Sequence, residues 1–320
     1  MEVIPGIHRI EAPLGERFVC MFLLVGDEHA LLIDTGIDST VRETLLPYLD
    51  SAGIAASKIR YVLNTHPDFD HTGGNGAVRE MLPDAVFMCH ELDRVMVEDV
   101  ERMIGDRYCE FAVDHGIVDG DEVLNEVRAG ARHVPIDVSV SGGEKLRLGR
   151  DWCVEVLHTP GHSYGHLSVW DPRSETLIIA DATLYNAVLF KNGKPAFPPT
   201  YRYVDTYVGS MNRIREMRPK MLLTSHYPTY TGTGIDEFLG ESRAYVDRVD
   251  QALADALKGA DGARTLKQLI EVLGPTLGEW PGAASAYLCF PLVGHLERLV
   301  QYGTIETERR DGLLAYRWRD

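Results

Sequence analysis

Several things are missing from this chain, and each absence excludes a class of protein. No run of about 18 consecutive apolar residues occurs, which excludes a membrane-spanning helix. The opening MEVIPGIHRI has neither the basic flank nor the apolar core of a secretory signal, so no export is expected. Cysteine is scarce, and the five present (Cys20, Cys89, Cys109, Cys153, Cys289) are odd in number and form no CxxC pair. Reduced thiols in a cytoplasmic protein are therefore expected, not a disulfide framework or a structural zinc knuckle. Positive charge is also short: 32 Lys and Arg face 48 Asp and Glu, a formal charge of −16. Such a surface repels phosphate backbones, so nucleic acid is not an expected partner. Internal repeats and low-complexity tracts are absent too.

What remains is enough chain for roughly two domains. The first 235 residues alternate short apolar runs with amphipathic segments, the pattern of a layered α/β architecture. Phe18 to Val25 and Ala30 to Ile33 read as two strands of a hairpin across Gly26-Asp27-Glu28-His29. A helix is expected over Thr40 to Leu49, capped by Asp38 or Ser39. Strands are expected at Arg60–Leu63, 85–89, Cys153–Leu157, Leu167–Trp170, Thr176–Ala180 and Lys220–Thr224. Residues 90 to 140 are charged and helix-leaning, an insertion or lid. A long amphipathic helix from Ile235 to Lys258 supplies the connection at 236–262. Residues 263–320 then read as helix, helix and a hairpin turning at Asp311-Gly312, a winged-helix-like module. Its seven acidic residues and seven Lys and Arg cancel. A DNA-binding role is disfavoured on that count, and packing or homodimerisation is expected instead.

The chemistry concentrates directly after the third short strand. His66, Asp68, Asp70 and His71 fall within six residues, followed by Gly73 and Gly74. Imidazole and carboxylate at this density suit a divalent ion. His162, Asp181 and His226 each follow a strand, where open α/β sheets place their sites.

With these residues in order, the sequence resembles the metallo-β-lactamase superfamily. Leu32-Ile-Asp34-Thr-Gly36 matches that family's early strand and turn. His66, Asp70, His71, His162, Asp181 and His226 match its ligand motifs, over residues 4 to 230. The resemblance implies a four-layer αβ/βα sandwich and two divalent metal ions, zinc foremost. His66, His162 and the residue at 68 would hold one ion. Asp70, His71 and His226 would hold the second, with Asp181 bridging and Asp34 orienting a ligand. One position departs from the family pattern: Asp68 stands where histidine is usual. A third carboxylate around the metals makes the site more anionic, which brings iron or manganese into consideration. An acidic residue there is also typical of the superfamily's flavodiiron proteins, so a diiron oxidoreductase or oxygenase is an alternative.

The function expected from these residues is metal-dependent hydrolysis of an ester, lactone or thioester in a small molecule by a metal-bound, bridging hydroxide. Asp70 or Asp181 would handle its proton. Phosphodiester cleavage is a further alternative. Tyr185, four residues past Asp181, is a candidate to polarise the substrate carbonyl, as a tyrosine near this position does in the superfamily's lactonases. His158 is a candidate support for His162. Phe69, Tyr164, Tyr201, Tyr203 and Tyr227 cluster around the motifs and are candidates to line the substrate pocket. The other histidines, His166 among them, lack partners at ligand spacing and are expected to be bystanders.

Overall fold

The computed structural model of the chain describes residues 1–319. Two sheets face each other. The first has seven strands in sequential order: β1 (Glu2–Ile4), β2 (Ile7–Leu14), β3 (Arg17–Val25), β4 (Ala30–Ile33), β5 (Ile59–Leu63), β6 (Val86–His90) and β7 (Val138–Val140). The first four pair antiparallel and the last four parallel. In the second sheet, β8 (Lys145–Gly149), β9 (Trp152–His158), β10 (Leu167–Asp171) and β11 (Thr176–Ala180) form an antiparallel meander. A small hairpin, β12 (Val188–Leu189) with β13 (Pro195–Phe197), leaves the sheet before β14 (Met221–Thr224) returns parallel to β11. The edge strand β15 (Tyr230–Thr231) closes it.

Both sheets are apolar on two faces, which is why β3, β4 and β11 read as continuous hydrophobic runs with no alternation. Phe22, Leu24, Ile33, Val156, Val169 and Leu223 fill the space between the sheets. On the outer face of the first sheet, Leu23, Leu32, Val62 and Phe87 meet Leu45, Leu49 and Val78 of covering helices. On the second, Leu177, Ile179 and Leu222 meet Ile214, Phe238 and Leu239. The result is the expected four-layer sandwich.

Local departures have identifiable causes. The helix expected over Thr40 to Leu49 with Asp38 or Ser39 as cap begins at Asp38 and is capped by Ile37, and the hydroxyl of Thr40 accepts from the Ile37 N–H at 3.2 Å. Strands β1, β2, β7 and β8 were not expected, because β2 and β8 interleave charged residues and β1 and β7 are only three residues long.

The carboxy-terminal segment contains helix Leu266–Leu277, the turn Gly282–Leu288 and helix Cys289–Gln301. A hairpin of β17 (Ile305–Arg310) and β18 (Leu313–Trp318) follows, with β16 (Arg264–Thr265) as third strand. Its apolar face turns inward. Leu288, Phe290, Leu292, Val293 and Leu296 share one buried cluster with Tyr201, Tyr207 and Met211. The long helix Thr233–Lys258 serves both parts. Its first turns bury Phe238 and Leu239 on the second sheet, and its later turns bury Val246, Val249 and Leu253 in the carboxy-terminal cluster.

Candidate metal centre

Strand ends deliver the site. β4 stops at Ile33, and Asp34 takes a left-handed conformation, φ 60°. Its carboxylate accepts from the Thr65 N–H, the Thr65 hydroxyl and His71 Nδ1, each at 2.8 Å. β5 runs into His66, and the short helix Phe69–Thr72 that follows carries Asp70 and His71. β9 leads to His162 and β14 to His226. At the end of β11, Ala180 has φ 42° and the pairing with β14 slips there, which turns Asp181 into the site. Positive φ at two non-glycine residues beside ligands is local strain, the kind that clusters at functional sites.

Hydrogen bonds fix the state of every imidazole. The Thr65 hydroxyl gives its proton to Asp34, so His66 Nδ1 donates to that oxygen at 2.9 Å. His162 Nδ1 donates to the Thr200 carbonyl at 3.1 Å, and His226 Nδ1 to the Phe18 carbonyl at 2.9 Å. His71 Nδ1 donates to Asp34. In all four rings Nδ1 is thereby engaged and Nε2 faces the centre, where a metal ion would take the place of any proton held on it. His66 Nε2 is buried with no hydrogen-bond partner, and so is Asp181 Oδ1.

Acceptors aimed at one another at short range need a cation between them. His71 Nε2 and His226 Nε2 are 3.3 Å apart, and His162 Nε2 lies 3.0 Å from Asp68 Oδ2. A tetrahedral zinc ion with bonds of about 2.0–2.1 Å separates its ligands by about 3.4 Å, so the spacing fits a metal. Three groups of donors form; in Asp34–His66–His71 the carboxylate is taken up by Thr65 and His71, which leaves His66–Asp68–His162 and Asp70–His71–His226 facing the centre. Asp181 Oδ2 lies 3.9 Å from His66 Nε2, 3.8 Å from His71 Nε2 and 3.2 Å from His226 Nε2, between the two groups. These residues would hold two ions, as the resemblance implies. Burial disfavours the charged His66 ring, as do the neighbouring His71 and His162, and its pKa falls well below 6.5.

Asp68 carries the largest surprise. Arg107, from a widened helical turn (Ile104–Tyr108) in the 90–140 insertion, grips its carboxylate. Nε donates to Oδ1 at 2.8 Å and one terminal nitrogen to Oδ2 at 3.2 Å, while the other donates to the His162 carbonyl at 3.0 Å. Burial alone would raise the Asp68 pKa, but the Arg107 charge and the His162 contact hold it well below the usual carboxylate range. Nothing in the sequence marked Arg107, because it lies 39 residues from its partner and outside every motif.

The centre opens into a cavity of about 100 Å³ lined by Arg17, Phe69, Tyr108, Phe197, Tyr287 and Phe290, among others. Of the five aromatics proposed from sequence, only Phe69 lines it. Tyr164 stacks on Tyr203 at 3.6 Å, Tyr201 bonds His295 Nε2 at 2.8 Å, and the Tyr227 hydroxyl is 2.7 Å from the Leu184 carbonyl. Tyr185 lies flat against Phe238 at 5.7 Å, within the outer core and not among the residues lining the cavity. His158 stacks on His90 at 4.2 Å, and its Nε2 bonds the Tyr164 carbonyl at 2.8 Å, away from the donors. The support comes instead from His166, expected to be a bystander. Its ring lies 5.1 Å from that of His66, and its Nε2 accepts from the Asp181 N–H at 3.3 Å.

A family model described as the metallo-beta-lactamase superfamily matches residues 14–226. The chain belongs to that superfamily. Within it, the cytoplasmic hydroxyacylglutathione hydrolase of Arabidopsis thaliana is 31% identical over 144 residues, 44% of this chain and 41% of that protein. The acyl-coenzyme A thioesterase of Homo sapiens is 26% identical over 67% of this chain and 73% of that protein. The match spans less than half the length of the hydroxyacylglutathione hydrolases. A superfamily protein from Thermus thermophilus superimposes with TM-score 0.76 at 20% identity, over 99% of this chain and 100% of that one. One from Burkholderia ambifaria gives 0.77 at 19% identity, covering 100% and 94%. The fold is thus shared over the whole chain, carboxy-terminal segment included.

Proposed function

We propose that the protein is a metal-dependent hydrolase of small acyl compounds, with thioesters as the favoured substrates. The observation that carries this reading is the set of four imidazole Nε2 atoms and the carboxylates converging at the floor of an aromatic-walled cavity, with the charged donor Arg107 among them. Divalent ions held there would acidify a water molecule and polarise a carbonyl. The chain's own residues do the rest. Asp181 Oδ1 has no other partner and is placed to accept the proton of the attacking water. Phe69, Tyr108, Phe197, Tyr287 and Phe290 exclude bulk water and hold an apolar acyl group. The relatives named above are a hydroxyacylglutathione hydrolase and an acyl-coenzyme A thioesterase, which supports that choice among acyl substrates.

The diiron alternative rested on Asp68, both on its extra negative charge and on its likeness to the acidic residue of flavodiiron proteins. Arg107 offsets that charge at hydrogen-bond distance, so the electrostatic argument for it falls away. The test is a panel of thioester, oxygen ester, lactone and phosphodiester substrates, assayed with zinc, manganese and iron. Thioester turnover that a chelator abolishes and one of these ions restores is expected. Phosphodiester turnover exceeding acyl turnover, or oxygen-dependent chemistry with two irons, would overturn the reading.

A further inference from the structure

The two donor groups differ in one respect that the motif does not reveal. The ligand atoms of Asp70, His71 and His226 have Asp34, Asp181 and the Phe18 carbonyl as neighbours, with no Lys or Arg in hydrogen-bond contact among the described residues. Around His66, Asp68 and His162 there is a buried arginine. Arg107 is 4% exposed, and its fork spans both carboxylate oxygens of Asp68. The terminal nitrogen that reaches Oδ2 also lies 3.1 Å from Nε2 and 3.4 Å from Nδ1 of His162. Near-equal distances to both ring nitrogens put that nitrogen over the imidazole face, so the in-plane lone pair of Nε2 stays free. Arg107 therefore leaves the donor atoms available while adding a full positive charge within a few ångströms of them.

The arginine is held there by the carboxy-terminal segment. The Phe290 ring lies 4.7 Å from its guanidinium carbon, and Arg202 ties the insertion to that segment. Arg202 donates to Glu110 at 2.7 Å and to both oxygens of Glu297 at 2.6 and 2.7 Å.

We propose that Arg107 is a positioning residue that acts as the resident counter-cation of the His66–Asp68–His162 group, so that this group binds a divalent ion more weakly than Asp70–His71–His226 and the two sites fill in sequence. The Asp68–Arg107 pair together then replaces the neutral histidine usual at position 68, charge for charge. The inference concerns metal loading and stands on the metal centre, whatever substrate the enzyme takes.

The full chain, stripped of metal and titrated with zinc by calorimetry, should take up two ions in separable steps. Metal content per chain after dialysis, measured by mass spectrometry, should lie nearer one than two at limiting zinc. Arg107→Gln keeps a donor for Asp68 but removes the charge, and should tighten the weaker step by about tenfold or more, because a unit charge a few ångströms from a divalent ion is worth more than about 1.4 kcal/mol even at an effective dielectric near 20. Arg107→Lys, which keeps the charge, should leave the two steps separated. In Arg107→Gln, adding Asp68→His should return the weaker step toward its original affinity. Two equal steps in the unaltered protein, or a weaker step that Arg107→Gln leaves unchanged or loosens while its circular dichroism is native, would overturn the proposal. None of these readouts depends on turnover, so failure of the thioester reading would leave them unaffected.

Discussion

Asp34 organises the centre without reaching into it. Three donors converge on its carboxylate, which fixes the Thr65 loop and the tautomer of His71 in one stroke. An amide in its place would offer one acceptor oxygen and turn an NH2 toward one of those donors. Asp34→Asn should therefore lower metal affinity by about ten- to a hundredfold, read by zinc titration against a chromogenic chelator. Asp181 lies between the two donor groups, and its loss touches both. Asp181→Asn should reduce bound metal and abolish turnover; full activity in that variant would refute its bridging position. At this scale the sequence was most informative where residues that could hold a metal share a short segment, as His66 to His71 do. It was silent on Arg107 and misleading on His166 and His158, because side chains far apart along the chain declare their partners only once strands are packed.

Among the elements, two positions show how tightly the structure is closed around the site. Gly161 has φ 144°, and its carbonyl accepts the backbone N–H groups of both Arg202 and Tyr203 at 2.8 Å. That turn joins His162 to the loop carrying Thr200. Gly294, in helix Cys289–Gln301, lies against the Arg202 carbonyl so closely that a Cβ would overlap it. Gly294→Ala should push the helix off the sandwich and destabilise the protein by about 1–3 kcal/mol, seen as a lower urea midpoint. His133, on the chain leaving helix Asp121–Gly130, contacts the Thr72 hydroxyl at 3.1 Å. Burial pushes its pKa down to about 4. Above pH of about 6.5 both folded and unfolded chains hold it neutral. Below that, the unfolded chain takes a proton the folded one refuses, so stability falls as pH drops from about 6.5 to 4 and this contribution then levels off. The loss is on the order of 3 kcal/mol. His133→Asn should flatten that part of the pH–stability curve in denaturant titrations across the same range. The helices beginning near Thr40 and Ile235 and most strands of the sandwich were legible from periodicity and apolar runs. The short edge strands were not, since three residues carry too little pattern.

For the whole molecule, the carboxy-terminal segment changes meaning most. Its balanced charge suggested packing or dimerisation. Folded, it spends its apolar face on its own chain and contributes Tyr287 and Phe290 to the cavity wall. Removing residues 263–320 would expose Tyr201, Tyr207, Val246 and Val249 of the shared cluster. The truncated chain should aggregate or lose cooperative unfolding; a stable, active truncation would show the segment to be dispensable. Phe290→Ala should raise KM and cost about 3 kcal/mol of stability, compared by kinetics and thermal melts. Sequence alone determined the layered α/β pattern and the clustering of histidine and aspartate after strand ends, because strand hydrophobicity and residue spacing are local properties. The four-layer sandwich and the metal-holding roles came from the resemblance to the superfamily. Tertiary structure decided which aromatics face the cavity, what neutralises Asp68 and what the segment after residue 262 does. Those depend on contacts between segments tens to hundreds of residues apart, and a buried charge or ring acquires its role only from the neighbours that exclude water around it.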